Sequence, residues 1–296
     1  MFDLRYHVAS LAAVFVALVI GIFVGVGLSG KGFVNDAERA NLQARIDELR
    51  AERDAAVERA ASSSVRGNAL DDFAGTAYPE LVDGRLGGKA VGIVFAGSVD
   101  QGVAGTIRRA VTDAGGRIAL MRALRVPLDS ESVDEALAAD PELRSLAGPE
   151  RRERLGRELA DELVSGGPAP ILRRLAPILV EEQSGVSPVK LDAVVVARPA
   201  RPQQGETQDF LAGLNGGLAA TRIPSVGVDV RGTRRSPLPI FRRRGHATVE
   251  AIDEDTGRVA LVYLLAGARP GSYGMGQDAP DGVLPDPPPA AAPADG

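Results

Sequence analysis

The stretch Val91-Gly-Ile-Val-Phe-Ala-Gly-Ser-Val-Asp-Gln-Gly102 decides the predicted fold, because a short apolar run stops there at turn residues and a helix-forming segment follows. That helix is predicted over 102–114, ends at Gly115-Gly116, and is followed by a second strand over 117–122. Further apolar runs predict strands over 191–197, 225–230 and 247–252. Apolar strands that alternate with helices predict an α/β domain over 90–274, with a mostly parallel, Rossmann-like sheet covered on both faces.

Sheets of this kind bind ligands at the carboxyl ends of their strands, near the point where the strand order switches. The first strand-to-helix turn holds Gly97, Ser98, Asp100 and Gly102, which we therefore predict as ligand-binding residues. The segment 97–105 lacks the G-x-G-x-x-G spacing, and neither a Walker sequence nor a nucleophile elbow occurs in the chain. Turn chemistry alone also explains a serine and glycines here. We predict no catalytic residue, no enzymatic activity and no cofactor.

At the amino-terminal end of the sequence, residues 1–30 are predicted to be a cytoplasmic stub and a transmembrane anchor. The segment Val8–Leu28 contains no charge over 21 residues, enough to cross roughly 31 Å of bilayer as a helix. A buried core helix and a cleaved secretory signal are the alternatives, but the apolar region is too long for a signal and no small-x-small cleavage site follows. Arg5 and His7 precede the helix, which favours a cytoplasmic amino terminus and an extracytoplasmic carboxyl-terminal domain.

Residues 31–62 are rich in helix formers and read as a coiled-coil stalk. Leu42, Ile46 and Leu49 fall at heptad positions d, a and d, so we predict that they form a parallel homodimer seam. The seam covers only about two heptads, but anchoring two copies in one membrane raises their effective concentration. A solvated single helix is the alternative. The chain is predicted to loosen at Ser62-Ser-Ser64, and residues 63–89 are predicted as a linker with a short helix over 70–82. The Pro/Ala-rich tail 275–296 is predicted to be disordered.

Composition limits the chemistry. The chain has no cysteine, two histidines and three methionines, so a zinc or copper site is not predicted. Its net charge of -5 gives no reason to expect a nucleic-acid partner. The basic run within Phe241–His246 could hold an anion, but we favour a loop that keeps an exposed sheet edge soluble.

Four segments carry a family resemblance. They are Met1-Phe-Asp-Leu-Arg-Tyr-His-Val-Ala-Ser-Leu-Ala-Ala-Val-Phe15 with the apolar run that follows, Gly84-Arg-Leu-Gly-Gly-Lys-Ala-Val-Gly-Ile-Val94, Asp255-Thr-Gly-Arg-Val-Ala-Leu-Val-Tyr-Leu-Leu-Ala-Gly267 and Gly271-Ser-Tyr-Gly-Met-Gly276. Together they resemble the actinobacterial copper transporter family named after mycobacterial copper transport protein B.

The resemblance implies a membrane-associated envelope protein linked to copper efflux or tolerance, described in some members as channel-forming and located in the outer membrane. Other coiled-coil members act with a membrane partner that carries a thiamine-pyrophosphokinase-like domain, and they help to control cell-wall remodelling. We therefore expect a non-enzymatic, membrane-anchored protein in copper homeostasis that works as a homodimer or larger oligomer. The alternative is a coiled-coil scaffold that pairs with another envelope protein during remodelling or division.

Overall fold

The computed structural model describes residues 4–29, 35–185, 188–197 and 201–288. The chain divides into two compact units, 1–69 and 70–296. The helices are α1 (Leu4–Ser29), α2 (Asn35–Val82), α3 (Gln101–Asp113), α4 (Ser130–Ala138), α5 (Arg152–Ser165), α6 (Pro170–Leu179), α7 (Gly205–Ala220), α8 (Leu238–Arg243) and α9 (Asp255–Ala266). The strands are β1 (Ala90–Ala96), β2 (Arg117–Leu124), β3 (Val180–Gly185), β4 (Ala193–Ala197), β5 (Ser225–Val228), β6 (Ala247–Val249) and β7 (Ser272–Tyr273).

Helix α1 contains the predicted anchor. The segment Tyr6–Gly27 is a helix of 22 residues that is long and apolar enough to cross a membrane. Its apolar side chains are exposed along the described part of the helix, as expected for a helix whose surroundings are lipid.

Helix α2 runs without a break from Asn35 to Val82, so the predicted break at Ser62–Ser64 was wrong. Serine disfavours a helix by only a few tenths of a kcal/mol relative to alanine, and the Ser62 hydroxyl bonds back to the Arg59 carbonyl oxygen at 3.0 Å. The short helix predicted over 70–82 is thus the end of α2.

Within the described residues, seven strands form one sheet in the order β3-β2-β1-β4-β5-β6-β7, and every pairing is parallel except β2 with β3. This confirms the predicted α/β class and the Rossmann-like sheet. Strands β1 and β4 are buried along their whole length, which explains their nearly uninterrupted apolar sequences. Alternate residues of each strand enter two separate apolar cores, one on each face.

Strand β3 is one of two strands that sequence reasoning missed. Helix α6 ends at Leu179, and the chain continues as an antiparallel edge strand with exposed Glu181, Glu182 and Gln183. Charged side chains on an edge strand discourage pairing with another chain. The basic run Arg242–Arg244 lies elsewhere, at the end of helix α8 beside interior strands, so its predicted role in protecting a sheet edge was wrong.

Two features fix helix α5 in the layer that covers one face of the sheet. Arg152 is fully buried and forms ion pairs with Asp134 of α4 at 2.7 Å and Glu206 of α7 at 2.6 Å. Burial acts against the charged form, but the two carboxylates outweigh it and raise the pKa of Arg152. Helices α5 and α7 approach closely because Gly156 and Gly213 face the partner backbone, where a Cβ would overlap carbonyl oxygens.

The segment 275–288 is ordered against the sheet, contrary to the predicted disordered tail. The Asp281 amide donates to the Ser272 carbonyl oxygen at 3.1 Å, and the Ser272 amide donates to the Asp281 carboxylate at 2.8 Å. Pro285 and Pro288 are buried. The remainder of the predicted tail, 289–296, lies outside the described residues.

Candidate functional site

A crevice opens at the carboxyl ends of β1, β4 and β5, which is where the sequence predicts a ligand site. Strand order reverses between β1 and β4, and this is the switch point at which doubly wound sheets bind ligands. The cavity measures ≈ 340 Å³. Its polar groups are Ser98, Asp100, Asp229 and Thr233, and its walls are Phe95, Val99, Val103, Ala197, Val228 and Val230.

The four predicted ligand residues divide into two that line the cavity and two that shape the turn. Ser98 and Asp100 line it, whereas Gly97 and Gly102 do not. Gly97 adopts a φ of 112°, which only glycine adopts readily, and its amide donates to the Leu124 carbonyl oxygen at 2.8 Å. Whether these residues bind a ligand stays a prediction.

Asp100 serves first as the amino-terminal cap of α3. One of its carboxylate oxygens accepts hydrogen bonds from the amides of Gly102 at 2.9 Å and Val103 at 3.1 Å. These amides are the donors that a nucleotide phosphate would use at a helix start in a Rossmann fold. Because a carboxylate already satisfies them, the helix start does not favour a pyrophosphate.

Asp229 is a site residue that sequence reasoning missed. Its carboxylate accepts the Thr233 hydroxyl at 2.7 Å and the Val230 amide at 2.9 Å. Burial raises the pKa of Asp229, while hydrogen bonds from Thr233 and Ser236 act in the opposite direction. The sequence did carry a weak signal, since Asp229 is a charged residue near the end of the predicted strand over 225–230, and parallel strands end at a common edge. With carboxylates on two sides, the crevice favours a neutral or cationic group over an anion.

A buried serine–histidine pair lies at the opposite ends of the strands. Ser225 Oγ and His246 Nδ1 are 2.7 Å apart, and His246 Nε2 has no hydrogen-bond partner among the described residues. Burial lowers the pKa of His246 to about 4, with a small opposing contribution from the Asn215 backbone, so the ring is neutral at pH 7. Its edge packs against Phe241 with the rings 5.7 Å apart. The sequence places His246 next to basic residues and gave no sign of this burial.

The methionines, which are candidate soft ligands for copper, lie in different environments. Met121 is buried in β2 and Met275 is 60% exposed, while Met1 lies outside the described residues. Over the ranges that the structure describes, no three His, Cys, Asp or Glu side chains come together as a metal site.

The predicted dimer seam is fully available on α2. Leu42, Ile46 and Leu49 are 57%, 42% and 58% exposed in the single chain. Further along, the same heptad register holds Arg53 and then the small residues Ala56, Ala60, Ser63 and Gly67, so large apolar side chains do not continue the seam directly after Leu49.

Comparison with known proteins gives a match over nearly the whole chain. The family model described as "Copper transport outer membrane protein, MctB" matches residues 1–284. "Copper transporter MctB" of Mycobacterium tuberculosis strain ATCC 25618 / H37Rv is 26% identical over 322 residues, which covers 94% of this chain and 98% of the relative. "Copper transporter MctB" of Mycobacterium bovis strain ATCC BAA-935 / AF2122/97 shows the same identity and coverage.

Proposed function

Because the chain belongs to the MctB family of copper transport outer membrane proteins, we propose that it is a membrane-anchored, non-enzymatic envelope protein that promotes copper efflux as a homo-oligomer. The family match over residues 1–284 is the observation that carries this proposal. The family is described as one of copper transport proteins, and it is not an enzyme family. The efflux role and the oligomer are the parts that we propose for this chain.

The exposed seam on α2 supports the oligomer. Three large apolar side chains, Leu42, Ile46 and Leu49, are exposed on a helix whose other positions over 35–62 are mainly charged residues and alanines. Burying such side chains against a second copy gains about 1.5 kcal/mol or more for each, and tethering both copies to one membrane lowers the entropic cost of pairing. The single apolar segment of α1 cannot enclose an aqueous path by itself, so direct conduction of copper requires several copies.

Composition supports an indirect part in copper export. Copper(I) prefers Cys, Met and His ligands, and the chain has no cysteine, two histidines and three methionines. We therefore propose that the soluble unit does not retain copper and that the protein acts through its assembly or through a partner. The soluble unit is proposed to lie outside the cytoplasm, which follows from the positive charge before α1.

The second candidate is a scaffold that pairs with another envelope protein during remodelling or division. The length of α2 favours it, since the part of this helix within the first unit, 35–69, spans about 52 Å and is exposed for contact with a partner. In this case copper handling would not depend on the protein.

One experiment separates the two candidates. Cell-associated copper and cell shape are measured together in a deletion strain grown with added copper, and in the same strain complemented with the full chain. Excess copper with normal shape, restored by the chain, supports copper efflux. Normal copper with misshapen or poorly separated cells refutes efflux and supports the scaffold.

A stalk variant tests the oligomer in the same strain. Leu42→Ser combined with Ile46→Ser and Leu49→Ser removes the seam, and we expect loss of the dimer in light scattering and loss of complementation. Ala44→Ser with Ala51→Ser is the matched control, because it adds serine to the outer face of the same helix. A seam variant with unchanged mass would refute the proposed dimer.

A further inference from the structure

Arg122 is a charged residue in the middle of an apolar sheet face. It lies on β2 between Leu120 and Leu124, whose side chains enter the core beneath helices α4 to α7. Its exposed fraction is 3%. A guanidinium in such a place costs several kcal/mol unless an anion compensates its charge.

The chain itself does not supply that anion in the part that the structure describes. Arg122 Nη1 donates to the carbonyl oxygens of Met121 at 2.8 Å and Ser184 at 2.9 Å, and Nε is buried without a partner. No carboxylate of the described residues forms an ion pair with it. Burial accordingly lowers the pKa of Arg122, with no acidic group acting against it. Arg152, on the same side of the sheet, shows the usual arrangement with two carboxylates.

Arg122 lines the largest of the described cavities, at ≈ 630 Å³. Known ligand pockets measure about 300–1,000 Å³, so this cavity has room for a small organic molecule. A second cation, Arg173 of α6, lies on the same cavity, as does Gln183 of β3. Its walls are otherwise small or apolar, with Leu172, Ala176, Pro168 and Pro188 among them.

We propose that this cavity binds a small organic anion, in which a carboxylate or phosphate group carried on a short apolar chain pairs with Arg122. The planar guanidinium offers parallel N–H donors that match the oxygens of either group. Arg173 adds a second positive charge, and the apolar walls accommodate the chain. The site is distinct from the acidic crevice at the strand switch point, and it is independent of copper handling.

The test is calorimetric titration of the full chain in nanodiscs of phosphatidylcholine. The probes are hexyl phosphate, hexanoate, inorganic phosphate and 1-hexanol. We expect at least one of the two hexyl anions to bind, with inorganic phosphate and 1-hexanol at least tenfold weaker, because each lacks one half of the recognised group. The tighter of hexyl phosphate and hexanoate identifies the headgroup.

Variants assign the binding to Arg122. We expect Arg122→Met to lower the affinity at least 30-fold without a loss of thermal stability, since an apolar side chain of similar length suits this face of the sheet. Arg117→Met removes an exposed arginine from the same strand and should bind as the unaltered chain does. Ala176→Phe fills the cavity without changing a charge and should also abolish binding, which provides a test that does not depend on Arg122→Met folding.

Three results would overturn the proposal. They are the absence of binding by both hexyl anions, binding of inorganic phosphate or 1-hexanol within tenfold of the tighter hexyl anion, and unchanged affinity of that anion in either Arg122→Met or Ala176→Phe.

Discussion

Replacing His246 should flatten the dependence of stability on pH below neutrality. The ring is buried, and its pKa falls from 6.5 to about 4 in the folded chain. The unfolded chain therefore takes up a proton on this group more readily than the folded chain does. Neutral His246 therefore makes its full contribution to the free energy of unfolding above pH 6.5, and this contribution is lost as the pH falls toward 4.

The magnitude follows from the two pKa values. They differ by about 2.5, and one unit of pKa difference corresponds to about 1.4 kcal/mol, so the full loss is about 3–4 kcal/mol. At pH 4.5 about 2–3 kcal/mol of it should be gone relative to pH 7.5. This is a large fraction of the stability of a typical domain.

The assay is urea unfolding of the full chain in non-ionic detergent at pH 7.5 and pH 4.5, followed by circular dichroism. His246→Asn removes the titration and places an amide oxygen near the position of Nδ1, where it can still accept the Ser225 hydroxyl. Asp229 and Glu162 also have pKa values raised by burial, but they contribute equally to both proteins and cancel in the comparison.

Between pH 7.5 and pH 4.5, we expect the free energy of unfolding to fall by about 2–3 kcal/mol less in His246→Asn than in the unaltered chain. His7→Asn changes the other histidine of the chain and should keep the full pH dependence. Equal pH dependence in His246→Asn and the unaltered chain would refute the assignment of this stability to His246.

Three further changes test the packing around the sheet by the free energy of unfolding. Arg152→Met should cost about 2–4 kcal/mol, because it leaves two half-buried carboxylates without their cation, and a cost below 1 kcal/mol would contradict the ion-pair argument. Gly213→Ala should cost about 1–3 kcal/mol, since its Cβ would overlap the Glu153 carbonyl oxygen. The control Gly216→Ala, on the same helix, places its Cβ where nothing lies within 4 Å and should stabilise the protein slightly. Equal effects of the two substitutions would be inconsistent with the close contact between α5 and α7. Asp100→Ala should cost about 1 kcal/mol through loss of the α3 cap, while Asp100→Asn should restore most of it, and identical losses in both variants would argue against capping.

The sheet was predictable because its central strands carry the strongest local signal. Strands β1 and β4 are buried on both faces, so their sequences are almost wholly apolar and are bounded by turn residues. The edge strands β3 and β7 have no such pattern. Most of β3 is exposed to solvent, so its residues need not be apolar, and β7 has only two residues. The continuity of α2 was missed for a related reason, since three serines disfavour a helix too little to end it.

The candidate sites were predictable to the extent that topology alone determines them. A parallel sheet fixes where its strands end, so Ser98 and Asp100 could be placed beside a cavity from the sequence. The pairing of Ser225 with His246 and the isolation of Arg122 depend on contacts between segments that are far apart in the chain. An arginine within an apolar strand is a weak signal for a buried charge, because the sequence does not show which side chains surround it.

The segment that follows β7 has a protective consequence. Asp281 occupies the outer hydrogen-bonding groups of Ser272, which would otherwise face solvent at the open side of the sheet. The opposite side is guarded by the acidic side chains of β3. A protease cut after Gly274 would uncover a free strand margin and create a template for stacking one molecule on another. We therefore expect a chain cut after Gly274 to associate through its sheet margin more readily than the intact chain does.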